Sequence, residues 1–442
     1  MADRISRRSL VKGAAGAAAA VSLAKRSPAF AAPAVLQETG SKVKVTYWGS
    51  FTDALGEAER GLVQRFNESQ DEVELEYQYQ GTYEETAQKL TAALAAKQTP
   101  DVSLLSDVWW FKFYLNRAIA PLNDFISANN IDTSDYVDSL WIEGIRDGVQ
   151  YWIPMARSTP LFYYNKEMFR EVGLDHAPAT WAEFEQVAPE LVRKDGDTIT
   201  RAAFAHPSAG SYIAWLFQCV VWQFGGRYSD ENFTIMMTSP ETVAAGEFYR
   251  RSVVDGWAST PQDINTDFLN GLTASMMAST GGLAGITRDA KFEFGTAFLP
   301  EGPAGFGCCT GGSGLAILAD KPKEKQEAAF KFVMYASSPE GTAWWSQNTG
   351  YMPVRKSAAQ SEEMQAFFAK NPNFKTAVDQ LPKTRPQDAA RVFIPNGDQI
   401  IGKGLEEITI TKSDVLPAFE SVQKTLEEEA KPVLEALKAR QG

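Results

Sequence analysis

Apolar and polar positions alternate along Lys42-Val-Lys-Val-Thr-Tyr-Trp48 with the period of two of a half-buried strand, and Leu55, Ala58, Leu62 and Phe66 then recur at helical spacing. The alternation returns in Val73, Leu75, Tyr77 and Tyr79. Thr82-Tyr-Glu-Glu85 has the form of a capping box ahead of a helix carrying Leu90, Ala93 and Leu94, and Pro100-Asp-Val-Ser-Leu-Leu105 reads as a third strand. Strand, helix, strand, helix, strand predicts a parallel sheet. Asp107, Trp109 and Trp110 follow the C-terminal end of the third strand, which is where open α/β sheets place their ligands.

A second unit begins in the run Tyr151 to Asn165, read as two short extended segments joined at Pro154 to Pro160 and followed by a helix from Lys166 to Val172. Thr180-Trp-Ala-Glu183 is another capping box. Tyr212 to Phe224 is an apolar helix closed by Gly225-Gly226, and Ser239-Pro240 opens the next. Thr273 to Ser279 is strand-like and ends at Thr280-Gly281-Gly282, a turn able to start a helix. A turn-rich stretch from Glu301 leads to a strand at Gly314 to Leu318, then to helices at Lys323 to Ala336 and Pro339 to Gln347 and the loop Asn348 to Val354. The tail from Lys412 to Arg440 is helical and charged.

Ahead of all this, Ser6-Arg7-Arg8-Ser9-Leu10-Val11-Lys12, an uncharged stretch from Gly13 to Ala24 and Ala29-Phe30-Ala31 form the three parts of a removable export signal over residues 1–31. The paired arginines predict the twin-arginine machinery, which carries folded proteins. The alternative is an ordinary secretory signal with a chance basic pair; both routes predict a periplasmic mature chain. With no Cys near the cleavage site and no later run of eighteen apolar residues, that chain is expected to be soluble, without a lipid anchor.

Six of the 43 basic residues and one of the 55 acidic residues lie in the leader, which leaves 37 against 54 and a net charge of −17. Nucleic acid is excluded as a partner on that balance. The remaining chain of about 410 residues exceeds what one core usually serves and predicts two domains. Cys219, Cys308 and Cys309 have no C-x-x-C spacing and are expected to be small buried apolar residues; the alternatives are a vicinal disulfide or a bridge from Cys219 to one of the pair. The two histidines, His176 and His206, are expected in surface loops, which removes most of the raw material for Ser-His-Asp catalysis or a histidine metal site. Gly311-Gly-Ser-Gly-Leu315 lacks the second glycine of G-x-S-x-G, Gly305 to Thr310 fails G-x-G-x-x-G at its last position, and there is no P-loop or H-E-x-x-H. No enzyme, cofactor or metal is expected; a glycosidase, which needs only two carboxylates, is the remote alternative.

Trp48-Gly-Ser, Pro100-Asp101, Ser158-Thr-Pro-Leu-Phe-Tyr-Tyr-Asn-Lys166, Thr180-Trp181, Met277-Ala-Ser-Thr-Gly281, Gly311-Gly312 and Thr349-Gly-Tyr-Met-Pro353 occur in an order that resembles family 1 extracellular solute-binding proteins of ABC importers, over nearly the whole mature chain. Within the family, the chain is most similar to the sn-glycerol-3-phosphate-binding components. The resemblance implies a two-lobed type II periplasmic-binding fold, α/β in both lobes, with ligand in an interlobe cleft and an ABC permease as partner for a monomeric binding protein. It implies that Tyr83, Asp107, Ser158, Ser279 or Thr280, Gly312, Tyr351 and Arg391 surround the ligand. Asp107 would accept from glycerol hydroxyls and Arg391 would face a phosphate. Asp107 stands where the family usually has Glu, and Arg157 where a small polar residue is usual, so Arg157 is a candidate second phosphate contact. Independently of the family, the position of Trp109 and Trp110 after a sheet strand makes them candidate ligand faces, whereas Trp215 and Trp222 read as core.

The expected division is residues 41–155 with 280–335 in the first lobe and 156–279 with 336–442 in the second, with crossings near Met155 to Ser158, Ser279 and Ala336. The expected ligand is glycerol 3-phosphate or a glycerophosphodiester; the alternative is a neutral di- or oligosaccharide.

Overall fold

The computed structural model describes residues 42–210 and 212–441; the expected leader lies outside them. Strands β1 (Val43–Gly49), β2 (Val73–Tyr79) and β3 (Val102–Ser106) are parallel, as the alternation predicted, and lie in the order β2-β1-β3. The sheet is completed from much later in the chain. Antiparallel to β3 lies a strand formed by Gly311–Ile317, and beside that lies Ile153–Ser158. Numbered along the chain, Ile153–Ser158 is β4, Pro160–Asn165 is β5, Thr198–Ala205 is β6, Ala258–Ser259 is β7, Thr273–Ser279 is β8, Phe294–Ala297 is β9 and Gly311–Ile317 is β10.

The second large sheet runs β7-β6-β8-β5-β9, parallel through β7, β6 and β8 and antiparallel at β5 and β9. Strands β4 and β5 therefore belong to different sheets, and only Thr159 separates them. The polypeptide passes between lobes there in one residue. Thr159 is fully buried; its hydroxyl donates to Cys309 O at 3.1 Å, and Gln380 Nε2 donates to Thr159 Oγ1 at 3.1 Å and to Pro160 O at 2.8 Å. A crossover whose hydroxyl and carbonyl groups are bonded keeps a fixed bend inside the protein.

Sheet membership departs from the expected division in two places. Residues 280–335 do not stay in the first lobe, because β9 pairs with β5 in the second sheet before β10 returns to the first. Residues 336–442 do not all join the second lobe. The helix Pro339–Thr349 packs its Trp345 against Phe51 and Tyr351, and Trp344 lies under Arg65 of the first-lobe helix Asp53–Ser69. The C-terminal helix Val415–Gln441 starts in the second lobe, with Phe419 against Phe217. Its end reaches the first lobe, where Arg440 lies 4.0 Å from the Tyr114 ring centre and donates to Tyr114 O at 2.8 Å. Aromatic burial outweighed chain order in both cases.

His206 is not a surface residue. It is buried, bonded to Ser252 Oγ at 2.7 Å, and burial lowers its pKa to about 3, so it is neutral. The three thiols are free and buried, with Cys219 Sγ 3.4 Å from Cys309 Sγ. Among the described residues no helix is long and apolar enough to cross a membrane.

One buried carboxyl sets a pH-dependent term in the first lobe. Glu59 is fully buried and accepts hydrogen bonds from Tyr47 O–H at 2.5 Å, Tyr77 O–H at 2.8 Å and Phe51 N–H at 3.2 Å. Burial raises its pKa to about 7, with these donors pulling the other way. Because the folded protein holds this proton more tightly than the unfolded chain, the associated stability is present below the ordinary carboxyl pKa and is lost as pH rises through about 7. The loss amounts to about 3 kcal/mol. Urea unfolding at pH 5 and pH 7.5 should show a fall in stability in the native chain that is largely absent from Glu59→Gln; equal pH responses would refute the assignment.

Candidate functional site

The first-lobe wall of the interlobe cleft is built at the C-terminal end of β3. Asp107 follows Ser106 directly, and its N–H donates to Gly312 O at 2.9 Å, so a strand pairing aims the carboxylate into the cleft. Gly312 has φ +106°, and a Cβ there would lie 2.1 Å from Ala156 O, so only glycine fits this turn. Tyr83 opens the helix Tyr83–Ala96 behind the predicted capping box, which is formed: Thr82 Oγ1 accepts from Glu85 N, and Glu85 Oε2 accepts from Thr82 N. That cap orients the Tyr83 hydroxyl toward Ser313 Oγ, 3.0 Å away.

Tyr351 is placed by the end of the helix Pro339–Thr349. Gly350 takes φ +112° to stop the helix, Thr349 Oγ1 accepts from Tyr351 N at 3.1 Å, and the ring stacks on Trp345 at 5.9 Å and 16°. Burial raises the Tyr351 pKa to about 12, so the hydroxyl keeps its proton and can donate. Gly281 faces this ring so closely that a Cβ would come within 2.6 Å of it.

These elements enclose a cavity of about 440 Å³. Of the ten residues expected at the ligand, Tyr83, Asp107, Trp109, Ser158, Ser279, Gly312, Tyr351 and Arg391 line it together. Thr280 does not line it, being fully buried beneath the turn. Arg157 does not line it either. Its guanidinium is wholly buried, 2.5 Å from Glu143 Oε2 and over the Trp152 ring at 4.9 Å, and Glu143 also accepts from Thr310 O–H at 2.5 Å. The expected second phosphate contact is an internal ion pair, because the alternation of β4 turns residue 157 away from the cleft and Ser158 toward it. Trp110 is also turned inward, stacked on Trp152 at 6.0 Å.

Tyr212, Trp215, Asn265 and Asp398 line the same cavity without having been expected there. Trp215 sits in an all-apolar run whose pattern signals only core, yet its Nε1–H donates to Thr310 O and its ring closes on Gly311. No local pattern marks Asn265. Among the described residues, Asn265 Oδ1 and Ser106 Oγ, both beside the cavity, have no hydrogen-bond partner. Buried polar atoms of this kind are completed by a ligand or water.

Arg391 does not stand free. Its Nε donates to Asp398 Oδ1 at 2.6 Å, its Nη1 bonds Gln387 Oε1 and lies 3.7 Å from Asp107 Oδ2, and Gln387 Nε2 donates to Asp107 Oδ2 at 2.5 Å. Asp107 comes from the first lobe; Gln387, Arg391 and Asp398 follow the second-lobe side of the chain. The network joins the two walls and shares one guanidinium between two carboxylates. Arg391→Ala would strand Asp398, whose pKa burial already raises, and should cost about 3 kcal/mol of stability in chemical denaturation. Replacing Asp398 by Ala in the same chain should recover part of the loss; a double variant as unstable as the sum of the two single variants would refute the pairing.

The family model for bacterial extracellular solute-binding proteins matches residues 61–376. The sn-glycerol-3-phosphate-binding periplasmic protein UgpB of Escherichia coli K12 is 28% identical over 363 residues, covering 77% of this chain and 81% of that protein. UgpB from Mycobacterium tuberculosis, solved in complex with glycerophosphocholine, is 43% identical with a TM-score of 0.83, covering 88% of this chain and 99% of that one. The cyclic alpha-maltosyl-1,6-maltose binding protein from Arthrobacter globiformis shares the fold, with a TM-score of 0.75 at 23% identity and coverage of 88% and 100%. The two-lobed α/β architecture and the matched 61–376 segment agree, and the chain belongs to the bacterial extracellular solute-binding proteins.

Proposed function

We propose that this protein captures a glycerophosphodiester in the interlobe cleft and delivers it, chemically unchanged, to the membrane permease of an ABC importer. The observation that carries this reading is the 43% identity, over nearly the whole of both folds, to a UgpB solved with glycerophosphocholine. The cavity supports it. Asp107 offers an acceptor for glycerol hydroxyls, Ser158 and Ser279 add small hydroxyls, and Tyr83 and Tyr351 add O–H donors held protonated by burial. Trp109, Tyr212 and Trp215 supply apolar faces that exclude water and so strengthen the polar contacts. Arg391, released in part from Asp107 when the diol takes that carboxylate, faces the phosphate. A solute touching both walls stabilises the closed arrangement in proportion to its differential contacts, and the closed form is what the permease recognises. The Arg7-Arg8 leader supports twin-arginine export of a folded monomer to the periplasm.

A second reading, a neutral di- or oligosaccharide, draws on one observation: Arg391, the one arginine lining the cavity among the described residues, is already shared by two carboxylates. Calorimetric titration of the mature protein with glycerophosphocholine, glycerol 3-phosphate and maltose separates the two. Saturable binding of the diester, weakened about tenfold or more by Tyr351→Ala, is expected, since loss of one buried contact is worth roughly 1.4 kcal/mol. Binding of maltose with no response to the diester would reverse the order of the readings.

A further inference from the structure

Past the Asp107–Gln387 contact lies a second cavity of about 530 Å³, also between the lobes and sharing Asp107 as its wall with the first. Nothing in the proposed capture of a solute uses it. Two of its cations, Arg146 and Arg385, stand outside its ion pairs. Asp107 is engaged by Gln387, Glu143 by Arg157 at 2.5 Å and Asp388 by Arg227 at 2.8 Å. Gln387 is neutral and leaves the Asp107 charge in place, so what remains is Arg146 and Arg385 against Asp107 and Glu231. Among the described residues, neither of these arginines has a carboxylate within the 4.0 Å of an ion pair.

Both guanidinium groups are held by aromatic faces. Arg146, half-buried, lies 4.9 Å from the Trp110 ring centre and 4.2 Å from that of Phe393, which comes from the second lobe and packs on Phe111 at 4.5 Å. Arg385 lies 3.9 Å over Trp222. One Arg146 donor is taken by Ile145 O at 2.5 Å, and stacking fixes the plane of each guanidinium so that its remaining N–H groups can receive an oxyanion in plane. Burial lowers the pKa of Arg146 to about 10 and lowers that of Arg385, with Glu143 and Asp147 pulling the other way on Arg146 and Asp388 on Arg385.

We propose that this second cavity is a binding site for a small oxyanion, a phosphate or carboxylate group, held by Arg146 from the first lobe and Arg385 from the second. Because the two cations come from opposite lobes, an occupant favours the closed arrangement. The anion is either a free ion or the charged end of a solute whose neutral part lies in the first cavity. The site stands without the glycerophosphodiester reading.

Titration of the mature protein with inorganic phosphate, followed by calorimetry at low ionic strength, tests this. Saturable binding is expected, weakened at least tenfold in Arg385→Gln, whose exposed side chain makes the variant safe to fold, and in Arg146→Gln, but retained in Tyr351→Ala. Repeating the titration in saturating glycerophosphocholine identifies the source. Competition by the diester means the solute's own phosphate reaches the second cavity, and undiminished phosphate binding means a separate ion; both support the site. Absence of saturable phosphate binding would overturn it. So would binding that is unchanged in both arginine variants, or binding abolished by Tyr351→Ala alone, which would put the anion in the first cavity.

Discussion

The cleft depends on one buried polar junction, in which Asp107 of the first lobe meets Gln387 and Arg391 of the second, with Asp398 behind them. Isolated ions in such a place would each cost several kcal/mol of desolvation. Here Asp107 and Asp398 share the Arg391 guanidinium and the Gln387 amide bonds Asp107, so neither carboxylate is left without a partner when the walls close. The same arrangement makes the junction replaceable: a polyol hydroxyl can take over Asp107 as acceptor while Gln387 and Arg391 turn to other oxygen atoms. A contact that holds empty walls together and can be exchanged for contacts with a guest is what a reversible carrier needs.

Around that junction the molecule divides stiffness from freedom. The floor is rigid. Phe51, Tyr83, Trp345 and Tyr351 interlock, Glu59 ties Tyr47, Tyr77 and the Phe51 backbone together, and glycines stand at 281 and 312 where a side chain would displace a ring or a carbonyl. Stiff aromatic surfaces lose little entropy when a solute docks on them. The passage between lobes is confined to short crossings such as Thr159, while the C-terminal helix touches both lobes, ending at Tyr114.

How far the site could be read from the chain varied with the range of the forces involved. The capping box at Thr82 and the strand ending at Ser106 are local devices, so the helix at Tyr83 and the place of Asp107 at a strand end followed from neighbouring residues, whereas Tyr83 and Tyr351 were expected at the ligand from the family resemblance. Arg157 was misread because alternation along β4 decides which way a side chain points, and one position separates a cleft residue from a core ion pair. Trp215 was misread in the opposite sense, since an apolar helix carries no mark of which ring borders the cavity. The helices between Lys356 and Thr409 had no expectation at all; their short apolar repeats are broken by proline and charge, and they form because they pack on existing surfaces.

By themselves, the residues in order determined most of the elements before Lys356, the α/β class, the parallel pairing of the first three strands and the family, because each rests on periodicity, capping or ordered short motifs. Only the tertiary structure decided that β9 returns to the second sheet, that Trp345 belongs to the first lobe, that His206 is buried and that Arg391 is shared between Asp107 and Asp398. Those outcomes turn on which buried surfaces and which opposite charges find each other across hundreds of residues, and no spacing along the chain encodes that meeting.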